Sequence, residues 1–316
     1  MITMQSPALS KDFSPWQLGA PLYMPAHRFD LMAIANGEKL SELRSMIFCT
    51  EDAVSCHEID SSLRHLGLCL QGFEDAPDCF RFIRARNPEI LARLLDLPGI
   101  EKIDGFVLPK FTEKVFNAYF DQLKGTPFKV MPTLETHEVF DFAAMCALRD
   151  GLLQDAVLPS VLMLRIGGND LLNLLGVRRP KGLTLYETPL GHVISQLVTV
   201  FKPSGFALSA PVFEYLNDTG TLQKEIRQDL AYGLTGKTAI HPTQIPLIEA
   251  AYAIDEEDYQ MALSLTAQEA PAVFKMHNAM CEVATHQRWA LDLIRRQQCY
   301  GVNMSASLKE CAGLSV

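Results

Sequence analysis

The feature that most constrains the fold of this chain is a repeated alternation of short apolar runs with amphipathic stretches. Eight apolar runs recur between residues 21 and 240: Pro21–Met24, Ser45–Cys49, Cys79–Ile83, Gly105–Pro109, Lys129–Leu134, Val161–Ile166, Gly205–Ala210 and Lys237–Ile240. Apolar strands that alternate with helices predict a parallel sheet. Eight such units favour a closed (β/α)₈ TIM barrel, which needs about 250 residues. An open, doubly wound sheet is the alternative.

Composition narrows the classes of function. The chain has 316 residues, 48% of them hydrophobic, and a net charge of −9. Without a basic block it lacks the electrostatic footprint of a nucleic-acid-binding protein. No apolar run approaches the roughly 18 residues of a membrane span. The start of the chain lacks the features of a signal peptide, and the eight cysteines form no CxxC pair. We therefore expect a cytoplasmic protein with reduced thiols.

Further helical patterns follow the eighth apolar run. The stretches Asp255–Ala267 and Ala270–Gln298 both carry apolar residues at helical spacing. A barrel does not require them. We predict a barrel with the active site over residues 1–253 and a helical C-terminal extension over residues 254–316. Such an extension packs on the barrel or contacts a neighbouring subunit.

Ionisable residues follow at least seven of the eight apolar runs. They are His27 and Arg28, Glu51 and Asp52, Arg84 and Arg86, Lys110, Glu135, Asp170, and His241. The active site of a TIM barrel lies at the carboxyl ends of its strands. A ring of charge at that end therefore predicts a catalytic rim. For His241 a structural hydrogen bond at the strand end is favoured over a role as ligand or base.

The ring contains both signs of charge. Its carboxylates suit a hard divalent cation such as Mg²⁺, which takes one or two carboxylates and keeps several waters. Its arginines suit carboxylate or phosphate groups through paired hydrogen bonds. A metal beside arginines is what a 2-oxo acid needs, because the metal polarises the carbonyl while a guanidinium holds the carboxylate.

Seven segments resemble, in order, the motifs of one family. They are LYMPAHR (22–28), FCTEDAV (48–54), FIRARNP (82–88), DGFVLPKF (104–111), TLET (133–136), GGNDLLNLLG (167–176) and GLTGKTAIHPTQI (233–245). On these motifs the chain resembles the citrate lyase β-subunit-like C–C bond lyases, which include malyl-CoA and citramalyl-CoA lyases. Cys49 and Pro211 depart from the family pattern. The chain is thus similar to a divergent branch, the lyase-like proteins of tellurium-resistance-type gene clusters.

The resemblance implies a metal site. Glu135 and Asp170 match the two carboxylates that bind Mg²⁺, or Mn²⁺, in the family. Glu51 and Asp52 match the pair that orients metal-bound waters. The enzyme is then a metal-dependent C–C bond lyase, a citrate lyase β-subunit-like aldolase.

The resemblance also implies how a small anionic substrate is held. Arg84 matches the catalytic arginine that grips the substrate, with Arg86 as the alternate. Arg28 falls near the acyl or phosphate end, and Lys110 is a rim lysine near the substrate. Glu282, in the segment MetCysGlu, is the nearest counterpart of an acidic residue that a neighbouring subunit contributes, and it would carry a proton. The family implies a homo-oligomer, a trimer or a hexamer.

The implied reaction is a retro-Claisen or retro-aldol cleavage, or the reverse condensation. The substrate is a carboxylic acid or an acyl thioester, such as a CoA thioester, and the product is a 2-oxo acid such as oxaloacetate, pyruvate or glyoxylate. Two alternatives stay open. Lys110 could form a Schiff base, as lysines do in some barrel aldolases. The protein could also be a catalytically weakened barrel that serves as a binding or scaffold subunit of a biosynthetic or stress-resistance cluster.

Overall fold

A computed structural model of the protein describes residues 14–74 and 79–303. Cys311 and the first 13 residues of the predicted barrel lie outside these ranges. The seven cysteines within them are free thiols. Among the described helices, none combines the length and the apolarity that crossing a membrane requires.

Seven parallel strands form one sheet in which every strand pairs with the next along the chain. The strands are β1 Leu22–Pro25, β2 Ser45–Cys49, β3 Phe80–Arg84, β4 Gly105–Leu108, β5 Lys129–Leu134, β6 Leu164–Ile166 and β7 Leu208–Ser209. The helices between and after them are α1 Leu31–Ala35, α2 Ile59–Gln71, α3 Pro88–Leu95, α4 Glu113–Leu123, α5 Phe142–Leu152, α6 Gly168–Leu174, α7 Leu190–Phe201, α8 Thr219–Ala231 and α9 Ile245–Ala251. Strands β2 and β5 have the predicted bounds, whereas β6 and β7 are shorter.

The segment 237–239 closes the sheet. It makes parallel bridges to Ala210 beside β7 and to Leu22 in β1. The Tyr23 N–H donates to the carbonyl of Ala239 at 3.2 Å, and the Ala210 N–H donates to the carbonyl of Gly236 at 2.9 Å. The predicted (β/α)₈ barrel is therefore confirmed, and the open sheet is wrong. The predicted eighth strand is reduced to two isolated bridges, which we call the seam.

The barrel interior is filled with apolar side chains near the amino ends of the strands. One cluster contains Leu18, Ile47, Phe82, Val107, Met131 and Met163. Because side chains alternate along a strand, the residue two positions further on also faces inward. Cys49, Arg84 and Thr133 stand two positions after members of this cluster. The interior thus changes from apolar to polar towards the carboxyl ends.

A buried ion-pair network joins the seam to α8. The Lys237 ammonium lies 2.9 Å from Glu225 and 2.9 Å from Asp229, and all three side chains are buried. The Arg179 guanidinium also contacts Glu225 and lies 2.8 Å from Glu214. Removing one partner from such a network leaves an uncompensated buried charge, which is strongly destabilising. The network therefore holds the seam where backbone pairing is sparse.

A second compact unit begins at Glu249. It contains a short parallel pair, β8 Ile254–Asp255 with β11 Val302–Asn303; two helices, α10 Glu256–Thr266 and α11 Val283–Tyr300; and an antiparallel hairpin, β9 Val273–Met276 with β10 Ala279–Glu282. The continuous helix predicted over Ala270–Gln298 is wrong at its start, where the hairpin stands. His277 and Asn278 both have positive φ, 46° and 63°. Two such residues make the turn that matches the twist of a hairpin.

We predict that Gly105→Ala destabilises the barrel. A Cβ at Gly105 would overlap the backbone carbonyl of Lys129, which cannot rotate away because β5 is paired on both sides. We expect a loss of about 2–3 kcal/mol in the free energy of unfolding, measured by urea denaturation. Gly220→Ala is the control, because a Cβ there meets open space in α8. Equal stability of the two variants would contradict the prediction.

Candidate active site

One guanidinium connects three strand ends. Arg84 is the last residue of β3, and its Nη2 lies 2.7 Å from Glu51 Oε2, 3.1 Å from Glu135 Oε1 and 3.3 Å from Asp52 Oδ2. The two glutamates follow β2 and β5. These are residues that the sequence placed on the catalytic rim, and the structure brings them together. All three contacts are made through the same nitrogen, so the three carboxylates share one positive charge.

Lys110 adds a second cation to the cluster. Its ammonium contacts the Glu51 carboxylate and lies 3.9 Å from Asp52 and 3.8 Å from Asp170. Its backbone has φ of 48°, a left-handed conformation that non-glycine residues rarely adopt. In that conformation its N–H donates to Glu135 at 2.8 Å. Such backbone strain persists where the surroundings hold it. Here the backbone N–H of Lys110 donates to Glu135 and its ammonium contacts Glu51.

Glu135 follows β5 and Asp170 follows β6, so the two acids lie at the ends of neighbouring strands. Asp170 lies in the first turn of α6, which begins directly after the strand. A Cβ at Gly167 would overlap the Glu135 side chain, so the glycine leaves room for that carboxylate. Glu135 is 3% exposed. Burial raises its pKa to about 7, and the negative charge of Asp170 adds to the rise, while Arg84 opposes it.

The pKa values of the adjacent acids Glu51 and Asp52 are shifted in opposite directions. Burial acts to raise the pKa of Glu51, but the charges of Arg84 and Lys110 hold it below its usual value. The pKa of Asp52 is raised to about 6 by partial burial and by the charge of Glu51. An acid with a pKa near neutrality is suited to exchange a proton at physiological pH. The pair therefore offers one fixed negative charge and one group able to carry a proton.

The donor atoms fit a magnesium ion. Glu135 and Asp170 offer only oxygen, which hard divalent cations prefer. Within residues 14–74 and 79–303, no group of three or more histidine, cysteine or acidic side chains is arranged to hold a metal. Two carboxylates suffice for Mg²⁺, which completes its shell with waters and substrate oxygens. The site thus suits a cation held partly by its substrate.

The other predicted arginines have different partners. Arg86 Nη1 donates to the backbone carbonyls of Glu51 at 3.3 Å and Val54 at 3.0 Å, so it holds the loop that carries the two acids. Arg28 is paired with Asp30, whose pKa it lowers to about 2. In the described part of the chain, no ion pair joins Arg28 to the carboxylate cluster.

The two remaining predicted residues, Glu282 and His241, make hydrogen bonds to residues close to them in the sequence. Glu282 ends β10 in the second unit, where its carboxylate accepts from the Thr285 hydroxyl at 3.3 Å. Its role towards a neighbouring subunit stays a prediction. His241 is exposed, and its Nδ1 accepts from the Thr243 N–H at 3.3 Å at the start of the 3₁₀ turn Pro242–Gln244. This is a local hydrogen bond at the end of the predicted eighth strand, and a structural role for His241 stays a prediction.

The sequence GluThrHisGlu at 135–138 contributes one side chain to the cluster. Glu135 enters it, whereas His137 is 74% exposed. Thr136 precedes the 3₁₀ turn His137–Phe140 at the capping position, but its side chain makes no capping hydrogen bond. Asp141 caps α5 instead, accepting from the backbone of its first turn.

Sequence reasoning missed two residues below the rim. The Tyr23 hydroxyl accepts from Arg84 Nη1 at 3.4 Å, and two guanidinium groups lie over its ring. The second of these belongs to Arg165, a buried residue of β6. A signal was present, because Arg165 is a charged residue inside the apolar run VLMLRI. Lys and Arg are seldom fully buried unless paired.

We predict that Arg84→Met destabilises the metal-free protein more at pH 8 than at pH 5. Arg84 opposes the rise in the pKa of Glu135 to about 7, so the charge interaction between Arg84 and Glu135 is present at pH 8 and is lost as pH falls through that pKa and Glu135 takes up a proton. Breaking a buried pair costs about 3–5 kcal/mol. We expect that loss at pH 8 and a loss at least about 1.4 kcal/mol smaller at pH 5.

The measurement is chemical denaturation in EDTA at both pH values. Arg93→Met is the matched control, since Arg93 pairs with Asp60 on the surface and both side chains are largely exposed. A surface pair contributes little. The same loss for Arg84→Met at both pH values would count against the electrostatic role.

Comparison with known proteins addresses the family. A family model described as C–C bond lyase of the TIM-barrel fold matches residues 12–302. Mitochondrial citramalyl-CoA lyase of Homo sapiens is 26% identical over 235 residues, which cover 70% of this chain and 62% of that protein. The chain thus spans less than two thirds of the length of this relative.

Solved structures show the same fold. A citrate lyase from Burkholderia xenovorans superposes with a TM-score of 0.68 at 18% identity and covers 93% of this chain and 97% of its own. Protein CitE from Mycobacterium tuberculosis, in complex with magnesium, acetoacetate and coenzyme A, has a TM-score of 0.64 at 21% identity over 89% and 98%. The resemblance drawn from the motifs is confirmed: this chain belongs to the family of C–C bond lyases of the TIM-barrel fold.

Proposed function

We propose that this protein is a Mg²⁺-dependent lyase that cleaves or forms a carbon–carbon bond and releases or consumes a 2-oxo acid. One observation carries the proposal: Arg84, Lys110 and four carboxylates from the ends of successive strands converge at the rim where TIM barrels place their chemistry. The family supports the reaction class, and the magnesium-bound CitE structure supports the cation.

Glu135 and Asp170 are the residues that would hold the cation. When bound there, Mg²⁺ would supply a Lewis acid that polarises the keto oxygen of the 2-oxo acid. Gly167 keeps space for the Glu135 carboxylate, and the Lys110 N–H fixes its Oε1. Glu51 and Asp52 stand beside this pair and would accept hydrogen bonds from waters that complete the shell.

The chain's own cations would stabilise the charge that develops during cleavage. The substrate hydroxyl passes its proton to a carboxylate base such as Asp52, its carbon becomes the keto group, and the electron pair of the broken C–C bond remains on the acyl fragment as an enolate. Arg84 is placed to neutralise such an oxyanion, an effect worth about 3 kcal/mol in comparable sites. The enolate then takes a proton. Asp52, with a pKa of about 6, is suited to carry one.

Assembly and the outer part of the substrate belong to the same proposal. A cytoplasmic homo-oligomer would let Glu282 of a neighbouring copy act as a second proton carrier. Arg28 would meet the acyl or phosphate end of an acyl thioester. The coenzyme A in the CitE structure and the substrate named in citramalyl-CoA lyase support a CoA thioester.

The geometry disfavours a Schiff base on Lys110. A nucleophilic lysine needs a lowered pKa. Although burial acts to lower the pKa of Lys110, its hydrogen bond and charge interaction with Glu51 raise it overall. The amine therefore stays protonated and serves as a cation.

We expect Glu135→Gln and Asp170→Asn each to weaken Mg²⁺ binding by more than the 10–100-fold typical of changes around a metal's outer shell, because each removes an anionic ligand. Calorimetric titration with MgCl₂ measures this, and lyase activity on citramalyl-CoA with and without EDTA gives a second readout. Glu138→Gln is the control, since Glu138 pairs with Lys114 away from the cluster. A wild-type protein that binds no divalent cation would refute the proposal and favour the scaffold alternative.

A further inference from the structure

Arg165 is a buried cation without a carboxylate partner. The residue is 5% exposed. Its Nη2 donates to the Thr238 hydroxyl, and its Nη1 lies 3.9 Å from the sulfur of Met131. In the part of the chain that the structure describes, no acidic side chain forms an ion pair with it. Buried charges are normally paired, because leaving water is costly for an ion.

Other buried cations of the barrel are better satisfied. Arg84 contacts three carboxylates, Lys237 contacts two and Arg179 contacts two. Arg81 donates to three backbone carbonyls. Arg165 has one hydroxyl, one thioether and the Tyr23 ring, all of them neutral. Its charge is therefore compensated less well than that of these four residues.

Arg165 stands at the floor of the proposed active site. It is the register partner of Thr133, and Glu135 lies two residues further along the same strand, or about 7 Å at the usual rise. The guanidinium carbons of Arg84 and Arg165 are 5.7 Å and 5.4 Å from the centre of the same Tyr23 ring. The two guanidinium groups thus lie within about 11 Å of each other, with Arg84 at the carboxylate cluster.

A second polar group on this floor lacks a partner. The Thr133 hydroxyl is buried and makes no hydrogen bond. Thr133 shares the inward face of β5 with Met131 and Glu135, because side chains alternate along a strand. A buried hydroxyl without a partner is uncommon and calls for an explanation. The guanidinium and the hydroxyl together offer donors to one anionic group.

We propose that Arg165 binds a second carboxylate of the substrate, so that the 2-oxo acid handled at this site is a dicarboxylate. The inference rests on the proposed function, because it takes Glu135, Asp170 and Arg84 as the place where the keto acid end binds. A guanidinium pairs with a carboxylate through two parallel hydrogen bonds. The second carboxylate would supply the missing negative charge and accept from Thr133. A monocarboxylate would leave both groups unsatisfied.

Oxaloacetate and pyruvate test the proposal, because they differ by one carboxylate. We expect the wild type with saturating Mg²⁺ to bind oxaloacetate at least about tenfold more tightly than pyruvate. Arg165→Met should abolish this preference and change the Kd of pyruvate by less than about threefold, because it leaves the keto acid end intact. Arg93→Met is the control for loss of a positive charge and should behave as the wild type. Calorimetry with freshly prepared oxaloacetate gives the constants.

Thr133→Val is the second variant, in case Arg165→Met does not fold. It removes the hydroxyl at nearly constant shape and should weaken oxaloacetate binding while leaving pyruvate binding unchanged. Equal affinity of the wild type for both acids would overturn the proposal, as would an oxaloacetate preference that survives Arg165→Met.

The proposed function can be refuted independently of the proposal about Arg165. Its test is Mg²⁺ binding, measured without any oxo acid. If the wild type bound no cation, the Arg165 site would still be tested by the shift in unfolding temperature that oxaloacetate gives in EDTA. A shift that Arg165→Met removes would support the anion site, and no shift in the wild type would overturn it.

Discussion

The architecture of the site depends on one guanidinium and the carboxylates around it. Arg84 lies between Glu51 and Glu135, which come from strands on either side of it, and it is itself buried. Without a cation at that position, two buried carboxylates would repel each other and the strand ends would have to separate or take up protons. A metal held by Glu135 and Asp170 would share this task. Positive charge from Arg84 thus holds this rim together without a metal.

Backbone geometry serves the same end. Lys110 has a left-handed backbone conformation, and its N–H donates to Glu135. Gly167 has no side chain, which leaves space for the Glu135 carboxylate. These are local departures from ordinary strand ends, and they concentrate on one carboxylate. Strain and missing side chains around a single acid are typical of a functional site.

Much of the barrel could be predicted from the sequence, because apolar runs and amphipathic stretches report burial directly. The bounds of β2 and β5 follow from their runs, whereas β7 is shorter than its run since Gly205, with φ of 95°, belongs to a turn before the strand. Pairing, not hydrophobicity, decides where a strand begins. The sequence analysis did not predict the hairpin of the second unit. Its signal is the two-residue turn His277–Asn278, and the residues on both sides of this turn have helical spacing.

The rim was predictable because residues after parallel strands must meet at one edge, and so Glu51, Arg84, Lys110 and Glu135 were placed together. The contacts of each side chain could not be predicted in this way. Arg86 turns to loop carbonyls, although its spacing from Arg84 made it look equivalent. Such choices depend on rotamers and on the exposure of competing partners, which no linear pattern records.

The seam has a consequence for how the barrel responds to what it binds. Two backbone bridges and the Lys237 ion pairs close it, and Arg165 of β6 reaches across the interior to donate to Thr238 there. This hydrogen bond connects the guanidinium of Arg165 to the segment that closes the barrel. A ligand that fixes Arg165 would tighten the cylinder at its least paired point, so that occupancy of the floor and cohesion of the whole domain are thermodynamically linked.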